Sequence, residues 1–183
     1  MSKTPASRKV ILFIAASLDG YTAKTGDNMD FLSIVEQKGE DYGYNEFIKT
    51  VDTVILGRKT FDWVMKQVPQ FPHADKDTYI ITRTARPDDG KIKFYTGDLK
   101  ELVLTLKAGN GKNIFVDGGA EVVHSLLKEK LVDEFYISVI PILLGEGVRL
   151  FKDGRPEQKL KLISSKYFEK GLVQLHYQLA DQL

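Results

Sequence analysis

Short apolar runs alternate with amphipathic segments along this chain, and that alternation narrows the choice of fold more than any other feature of the sequence. Six runs are rich in aliphatic, β-branched and aromatic residues: KVILFIAAS, DTVILG, TYIIT, IKFYT, NIFVDGG and EFYISVIPILL. Most of these runs are too uniformly apolar for one face of the strand to be exposed to solvent. Such runs are typical of parallel strands that are covered by helices on both sides. The sequence therefore predicts an α/β fold with a mostly parallel central sheet.

The segments between these strands have the features of helices. YGYNEFIKT precedes the second strand and KTFDWVMKQ follows it, while DLKELVLTLKAG precedes the fifth strand and AEVVHSLLKEK follows it. In the last of these, the apolar residues recur at helical spacing. Asp98 is predicted to cap the start of the third helix, and Gly109 its end.

The pattern changes after Pro141. KLKLISSKYFEKGLVQLHYQL predicts two antiparallel strands that turn at Lys170 and Gly171 and lie at the edge of the sheet. No internal repeat or linker divides the chain, so we expect one domain over residues 1–183, with residues 1–7 disordered. The predicted architecture is a three-layer α/β/α sandwich, mostly parallel, with an antiparallel C-terminal hairpin.

Composition excludes several classes of function. The chain has 26 Lys and Arg against 25 Asp and Glu, so no overall basic field favours nucleic acid or an anionic membrane. The absence of cysteine excludes disulfides, thiolate catalysis and cysteine-bound metals, and it fits a cytoplasmic protein. His73, His124 and His176 do not have the spacing of metal ligands, so no metal site is expected.

Cations follow the second strand directly. In VDTVILGRKTF the apolar run ends at Gly57, and Arg58, Lys59 and Thr60 occupy the first turn of the predicted helix. Glycine allows the backbone to approach a ligand closely, and the helix start offers unpaired amides and a positive dipole end to an anion. A solvated helix start explains this junction alone equally well.

Two further strand ends favour an anion in the same way. NIFVDGGAEVVHSL places Gly118 and Gly119 between a buried strand and a helix, and YIITRTARP places Thr82 and Arg83 after another strand. Carboxyl ends of parallel strands share one edge of the sheet. Three such junctions match the needs of a dinucleotide, which carries two linked phosphates and sometimes a third on the ribose.

Taken together, these segments resemble the dihydrofolate reductase superfamily, and within it the branch similar to the C-terminal reductase domain of bifunctional riboflavin biosynthesis proteins. ILFIAASLDGYTA is similar to the first strand and following loop of that family, DTVILGRKTF to its second-strand motif, and VDGGAEVVHSLLKEKLVDEFYISVIPILLGEGVRLF to its glycine loop and the segment beyond. The resemblance implies a cytosolic NADPH-dependent reductase that in many relatives is a homodimer.

The resemblance also assigns residues to the site. Of those implied for the cofactor, Ala16 and Ala23 flank the nicotinamide, and Gly57, Arg58, Lys59 and Thr60 hold the phosphates from one side. Thr82 and Arg83 frame the adenosine end, and the second phosphate loop is formed by Gly118, Gly119, Ala120 and Glu121. Those implied for the substrate are Ser138, Gly145 and Gly147, with Asp19 in a loop above them.

The substrate half departs from the family pattern. Riboflavin-pathway reductases carry a lysine in the first strand, where this chain has Phe13. Folate reductases carry one acid facing the pterin, and here Asp30, Asp41 and Glu46 all miss a clean match. We therefore expect reduction of a pteridine- or aminouracil-like heterocycle, with dihydrofolate reduction and a nucleotide-binding module without turnover as the alternatives.

No proton donor stands out from the sequence. Reduction of a C=N bond places a hydride on carbon and a proton on nitrogen, so a donor is required. Asp19, Asp30 and Asp41 are the candidate acids, and a water held by Ser138 is the other possibility. Our hypothesis is that water delivers the proton, while Asp19 or Asp41 only orients the substrate.

Overall fold

The computed structural model describes residues 8–180 and contains one large sheet of eight strands in the order β5-β4-β3-β6-β1-β7-β10-β9. The first six strands in this order, from β5 at the edge to β7, are all parallel to their neighbours. Strand β10 is antiparallel to β7, and β9 is antiparallel to β10. The strands are β1 Val10–Ser17, β3 Val51–Gly57, β4 Asp77–Ile81, β5 Ile92–Tyr95, β6 Asn113–Gly118, β7 Glu134–Ile140, β9 Leu160–Tyr167 and β10 Val173–Leu179. A separate short pair joins β2 Tyr21–Ala23 to β8 Val148–Arg149.

Within residues 8–180, four α-helices cover the two faces of this sheet. They are α1 Tyr44–Lys49, α2 Arg58–Gln67, α3 Leu99–Ala108 and α4 Ala120–Lys128, and a 3₁₀-helix spans Asp30–Val35. Val103 of α3 and Val123 of α4 pack into one buried cluster, whereas Phe47 of α1 and Phe61 of α2 pack into a second. The predicted three-layer α/β/α sandwich is confirmed.

Successive side chains of the central strand β1 pack alternately into these two clusters. Val10 and Leu12 belong to the α3–α4 side, while Ile11 belongs to the α1–α2 side. Burial on both faces is the reason that this strand is apolar throughout rather than alternating, as its sequence indicated. None of the helices in residues 8–180 is both long and apolar enough to span a bilayer.

The C-terminal hairpin forms as predicted, with Gly171 at φ 83° in its turn. Asp98 caps α3 by accepting a hydrogen bond from the Glu101 amide at 2.9 Å. Gly109 is the last capping residue of that helix, but its φ of −80° means that the helix does not end in the left-handed turn that favours glycine. The predicted disorder of residues 1–7 lies outside the described residues.

Candidate active site

The first two glycine junctions lie against each other at the carboxyl edge of the sheet. Strand β3 ends at Gly57, just before α2, and Gly119 separates β6 from α4. A methyl group added at Gly119 would lie 3.4 Å from the Cα atom of Gly57. The two helix starts therefore converge on one small space.

Backbone geometry at the second junction requires glycine. Gly118 and Gly119 have φ of 124° and 83°, a region that costs a side-chain-bearing residue about 1–2 kcal/mol. No side chain in the described part of the protein forms a capping bond at the start of α2 or α4. Free amides and two positive dipole ends therefore face the shared space, and such an arrangement can hold a diphosphate.

Two arginines near the first junction share one carboxylate. Arg58 Nη1 lies 2.7 Å from Asp62 Oδ2, and Arg86 Nη1 lies 3.0 Å from Asp62 Oδ1. The hydrogen bond from Arg86, supported by the charges of both arginines, lowers the pKa of Asp62. The Arg86 guanidinium also covers the ring of Phe94 at 5.4 Å. Both arginines are thus engaged within the protein.

Other cations gather at the start of α4. Lys152, in the loop after β8, pairs with Glu121, and this hydrogen bond is the main reason that the pKa of Glu121 is lowered. Arg83 lies close enough for its charge to contribute to the same shift. Arg83 and Lys59 are exposed and have no carboxylate partner within residues 8–180, so their charges are available to a ligand.

The two threonines at these junctions differ in availability. Thr60 Oγ1 would lie 3.4 Å from a methyl group at Gly119, so it faces the space between the helix starts. The Thr82 hydroxyl instead closes its own turn, accepting from the Thr84 amide at 3.1 Å. Thr82 is buried, so of the two residues predicted to frame the adenosine end, Arg83 is the exposed one.

A cavity of about 700 Å³ lies between the sheet and the segment that precedes α1. Phe13, Ile14 and Ser138 form part of its floor, on β1 and β7, and the 3₁₀-helix contributes Leu32 and Val35 above them. The volume is within the roughly 300–1,000 Å³ of small-molecule sites, and a mostly apolar wall with few polar groups suits a planar heterocycle.

Polar contacts in this cavity centre on Ser138, which is 4% exposed. Gln174 Nε2 donates to the Ser138 hydroxyl oxygen at 3.2 Å and to the Tyr42 carbonyl at 3.0 Å. No acceptor for the Ser138 proton is found in residues 8–180, which leaves this hydroxyl free to donate to a ligand. Ser138 thus lines this cavity, and its role beside a substrate stays a prediction.

The cavity adjoins the glycine junctions at Ile14. A methyl group added at Gly118 would lie 3.8 Å from Ile14 Cδ1, and Ile14 lines the cavity. The side chain of Ile14 therefore lies between the space at the two helix starts, which suits a diphosphate, and the cavity, which suits a heterocycle. A nicotinamide attached to a diphosphate needs that proximity to reach a substrate ring.

Asp19 binds the protein itself. Its carboxylate accepts hydrogen bonds from Ser17 Oγ at 2.6 Å and from the Leu144 and Gly145 amides at 3.0 and 2.7 Å. The Ser17 bond, followed by the two amides, lowers the pKa of Asp19 to about 2. A carboxylate that is ionised and saturated in this way clamps two loops together and is a poor proton donor.

The other two acids are also engaged. Asp41 accepts from the amides of Asn45 and Gly43, both at 2.9 Å, and these bonds lower its pKa. It lines the cavity, but its carboxylate is engaged by these two amides at the start of α1, where Gly43 is the N-cap residue. Asp30 pairs with Lys24 at 2.7 Å and lines a smaller cavity instead.

The remaining predicted residues lie beside the cleft. Ala16 is buried in the core cluster of the α3–α4 side, and Ala23 is buried in β2. Gly147 packs on Ala23 so closely that a methyl group there would lie 2.1 Å from the Ala23 carbonyl oxygen. Gly145 donates to Asp19, as described above. The structure thus places Gly145 and Gly147 in the loop contact beneath Asp19, and neither lines the cavity with Ser138.

Sequence reasoning missed a second, smaller cavity of about 380 Å³ and the residues that link it to the first. Leu32 and Glu36 line both cavities, and Trp63 of α2 lines the smaller one. Glu36 follows the 3₁₀-helix, a short element whose position depends on burial of Phe31 and Val35. The spacing of those two apolar residues was the available signal.

The sheet order and the glycine cleft at its carboxyl edge define a dihydrofolate-reductase-like α/β protein. More narrowly, the chain belongs to the family of the RibD C-terminal domain, whose model matches residues 8–174. It is 44% identical over 173 residues to the uncharacterized protein YwjB of Bacillus subtilis (strain 168), covering 93% of this chain and 97% of that protein. Identity to YyaP of the same organism is 31%, with 97% and 98% covered.

Solved structures show the same fold. A protein from Shewanella sp. PV-4, provisionally named for riboflavin biosynthesis, superposes with a TM-score of 0.85 at 30% identity, covering 94% of this chain and 99% of its own. The Thermotoga maritima diaminohydroxyphosphoribosylaminopyrimidine deaminase/5-amino-6-(5-phosphoribosylamino)uracil reductase gives a TM-score of 0.70 at 14% identity, covering 95% of this chain and 57% of that one. The second similarity shows the fold alone.

Proposed function

We propose that this protein is an NADPH-dependent oxidoreductase that reduces a pteridine- or aminouracil-like heterocycle, and that its activity is most similar to 5-amino-6-(5-phosphoribosylamino)uracil reductase. One observation carries this proposal: Ile14 is shared between the glycine junctions that suit a diphosphate and the cavity that suits a ring. Membership of the RibD C-terminal domain family supports the reaction class.

Different residues of the chain would bind the diphosphate, the ribose phosphate and the substrate ring. The amides at the starts of α2 and α4 would hold the diphosphate, with Thr60 beside them, and Arg83 with Lys59 would meet the ribose 2′-phosphate. When bound, the nicotinamide supplies the hydride. Ser138 would donate a hydrogen bond to an acceptor on the substrate ring and so orient it in the cavity.

Water is the proposed proton source. Asp19 and Asp41 are both held ionised by hydrogen bonds from the protein, so neither carries a proton at neutral pH. The cavity is open enough to admit water beside Ser138, which could hold it as well as the substrate. Cytoplasmic location and a homodimeric state complete the proposal, and both come from the resemblance described above.

NADPH oxidation tests this function. Purified protein, stripped of ligand, is first titrated with NADPH by calorimetry, and then supplied with dihydrofolate or with the aminouracil ribosyl compound in parallel. Oxidation with the aminouracil compound supports the proposal, and a preference for dihydrofolate identifies a folate reductase instead. NADPH binding without oxidation across a wider panel of heterocycles indicates a binding module. No NADPH binding at millimolar concentration overturns the cofactor assignment.

A further inference from the structure

The charged side chains that line the two neighbouring cavities are mostly acidic. Glu36, Glu40 and Asp41 line the larger cavity, Asp30 and Glu36 line the smaller, and Lys38 is the single basic side chain among the described residues that line either one. Lys24 pairs with Asp30 from outside the smaller cavity. The balance of charge around a substrate is therefore negative, although the chain as a whole is close to neutral.

Most of these acids have partners, and Glu36 does not. Glu40 accepts from the Tyr42 amide at 2.8 Å, Asp41 accepts from two amides at the start of α1, and Asp30 pairs with Lys24. The Glu36 carboxylate has no hydrogen bond or ion pair within residues 8–180 and is exposed at the boundary shared by the two cavities. Any substituent that extends from a ring in the larger cavity into the smaller one passes this charge.

The cavity floor lacks the cation that would offset it. Phe13 lines the floor and stacks on Phe47 and Tyr136, at centroid distances of 4.6 and 5.5 Å, so this part of the wall is aromatic and tightly packed. The smaller cavity adds Trp63 and Gln67 from α2. The exposed cations Arg83 and Lys59 lie instead at the nucleotide junctions described above.

A phosphate group on the substrate would meet this arrangement unfavourably. Like charges a few ångströms apart repel, and the repulsion is stronger in a partly enclosed cavity than in bulk water. An uncharged hydroxylated chain meets hydrogen-bonding partners such as Asn28 and Ser33, and an apolar portion can pack on Trp63. A ring nitrogen that carries a proton would be attracted to Glu36.

We infer that the substrate of this protein is an unphosphorylated heterocycle, neutral or cationic, and that Glu36 sets this preference. The inference rests on the proposed function, since it concerns the substrate of that same site. It keeps the proposed reaction, reduction of an aminouracil- or pteridine-like ring by NADPH, and differs from 5-amino-6-(5-phosphoribosylamino)uracil reductase only in a substrate without the phosphate. A charged side chain, rather than the shape of the cavity, is the determinant.

A matched pair of probes tests it: 5-amino-6-(ribosylamino)uracil with and without the 5′-phosphate. Trp63 is the single tryptophan of the chain and lines the smaller cavity, so quenching of its fluorescence reports occupancy without any need for turnover. With NADPH bound, we expect the unphosphorylated probe to bind at least about tenfold more tightly. Glu36→Gln should narrow that ratio, and Glu36→Lys should reverse it.

Glu36 is exposed, and its carboxylate has no hydrogen bond or ion pair within residues 8–180, so these variants are expected to fold. Lys38→Ala is the matched control, because it removes the neighbouring cation and should not improve binding of the phosphorylated probe. Equal or tighter binding of the phosphorylated probe by the unaltered protein overturns the inference, as does a ratio that Glu36→Lys leaves unchanged. Failure of both probes to bind while NADPH binds also overturns it, and absence of NADPH binding overturns the proposed function itself.

Discussion

Asp19 shows at the scale of one residue how a carboxylate in a cleft can serve structure. Because its three hydrogen bonds join the loop after β1 to residues 144–145, Asp19→Asn should loosen that contact: an amide group cannot accept at both of its polar atoms. We expect exchange of the Gly145 amide to accelerate by about tenfold. Turnover, once a substrate is known, should fall by less than about 100-fold, the weak end of general acid catalysis.

The pH dependence of this clamp has a definite sign. The folded-state pKa of Asp19 is about 2, below its ordinary 3.8. The stabilisation is therefore fully present above pH 3.8 and is lost as the pH falls through 2. Protection of the Gly145 amide, taken relative to its intrinsic exchange rate at each pH, should fall over that range in the unaltered protein and converge with that of Asp19→Asn. A loss of turnover above about 10⁴-fold in the variant, with NADPH affinity intact, would instead identify Asp19 as the proton donor.

We predict that Arg83 determines the preference for NADPH over NADH. It is exposed and free of a carboxylate partner in the described chain, while Arg58 and Arg86 are both held by Asp62. Loss of one charge-assisted hydrogen bond to the 2′-phosphate should weaken NADPH binding by about 10- to 150-fold. Arg83→Ala should leave NADH binding nearly unchanged, as calorimetry with both cofactors would show.

Arg86→Ala is the matched control for this prediction. It removes an equal charge from the same turn, but one that is already neutralised, so its effect on NADPH should be smaller. If Arg83→Ala weakens NADPH and NADH alike, Arg83 contacts the shared part of the cofactor or supports the fold.

Single residues also mark the limit of what the sequence predicts. Gly118 and Gly119 were found because paired glycines between a buried strand and a helix have few other uses, whereas Ser138 was assigned by the family resemblance alone. Glu36 was missed because its importance comes from two cavities that no local pattern encodes. Asp19 was identified as a candidate from its loop, yet only the structure shows that its hydrogen-bonding capacity is already taken up by residues more than a hundred positions away.

At the scale of the element, the meeting of α2 and α4 depends on Gly119. Gly119→Ala combines an unfavourable φ with a new methyl group 3.4 Å from Gly57 and from Thr60 Oγ1. Gly154 has a similar φ of 86° but open space around it, so Gly154→Ala isolates the backbone strain. Both variants should lose about 1–2 kcal/mol of unfolding free energy, measured by urea denaturation.

NADPH binding should distinguish the two glycine variants. Only Gly119→Ala places a methyl group in the space between the two helix starts, so only it should weaken NADPH binding, by at least about tenfold. Equal NADPH affinity in Gly119→Ala and Gly154→Ala would mean that the junction is an ordinary tight turn. Calorimetry on both folded variants provides the comparison.

Elements with strong local signals were predicted, and those fixed by tertiary packing were not. Local sequence, within a few residues, specifies three of these features: the buried parallel strands, the capped helix α3 and the turn at Gly171. It does not specify the 3₁₀-helix Asp30–Val35 or the β2–β8 pair: the first depends on burial of Phe31 and Val35 against Ile140 and Leu172. The second brings Tyr21 opposite Arg149, which no local sequence signal specifies. These elements surround the cleft, which explains why the substrate half was the harder part to predict.

At the scale of the whole molecule, the hairpin β9–β10 leaves one edge of the sheet exposed. All eight residues of β9 are exposed, and its apolar side chains include Leu162 at 52% and Tyr167 at 88%. A long strand edge with apolar side chains on both faces favours pairing with another chain. A second copy of this protein, joined through the same hairpin about a twofold axis, would cover it. This is the surface we propose for the homodimer.

Leu162→Glu should dissociate that dimer. A twofold interface contains the substituted site twice, so two new carboxylates would be buried or brought together, and the dimer dissociation constant should rise by at least about 100-fold. Leu104→Glu on α3 is the control, because Leu104 is similarly exposed at 48% but lies far along the chain from the hairpin. Sedimentation equilibrium of the three proteins measures the effect. A monomeric unaltered protein at tens of micromolar, or a dimer that survives Leu162→Glu, would show that β9 is not the contact surface.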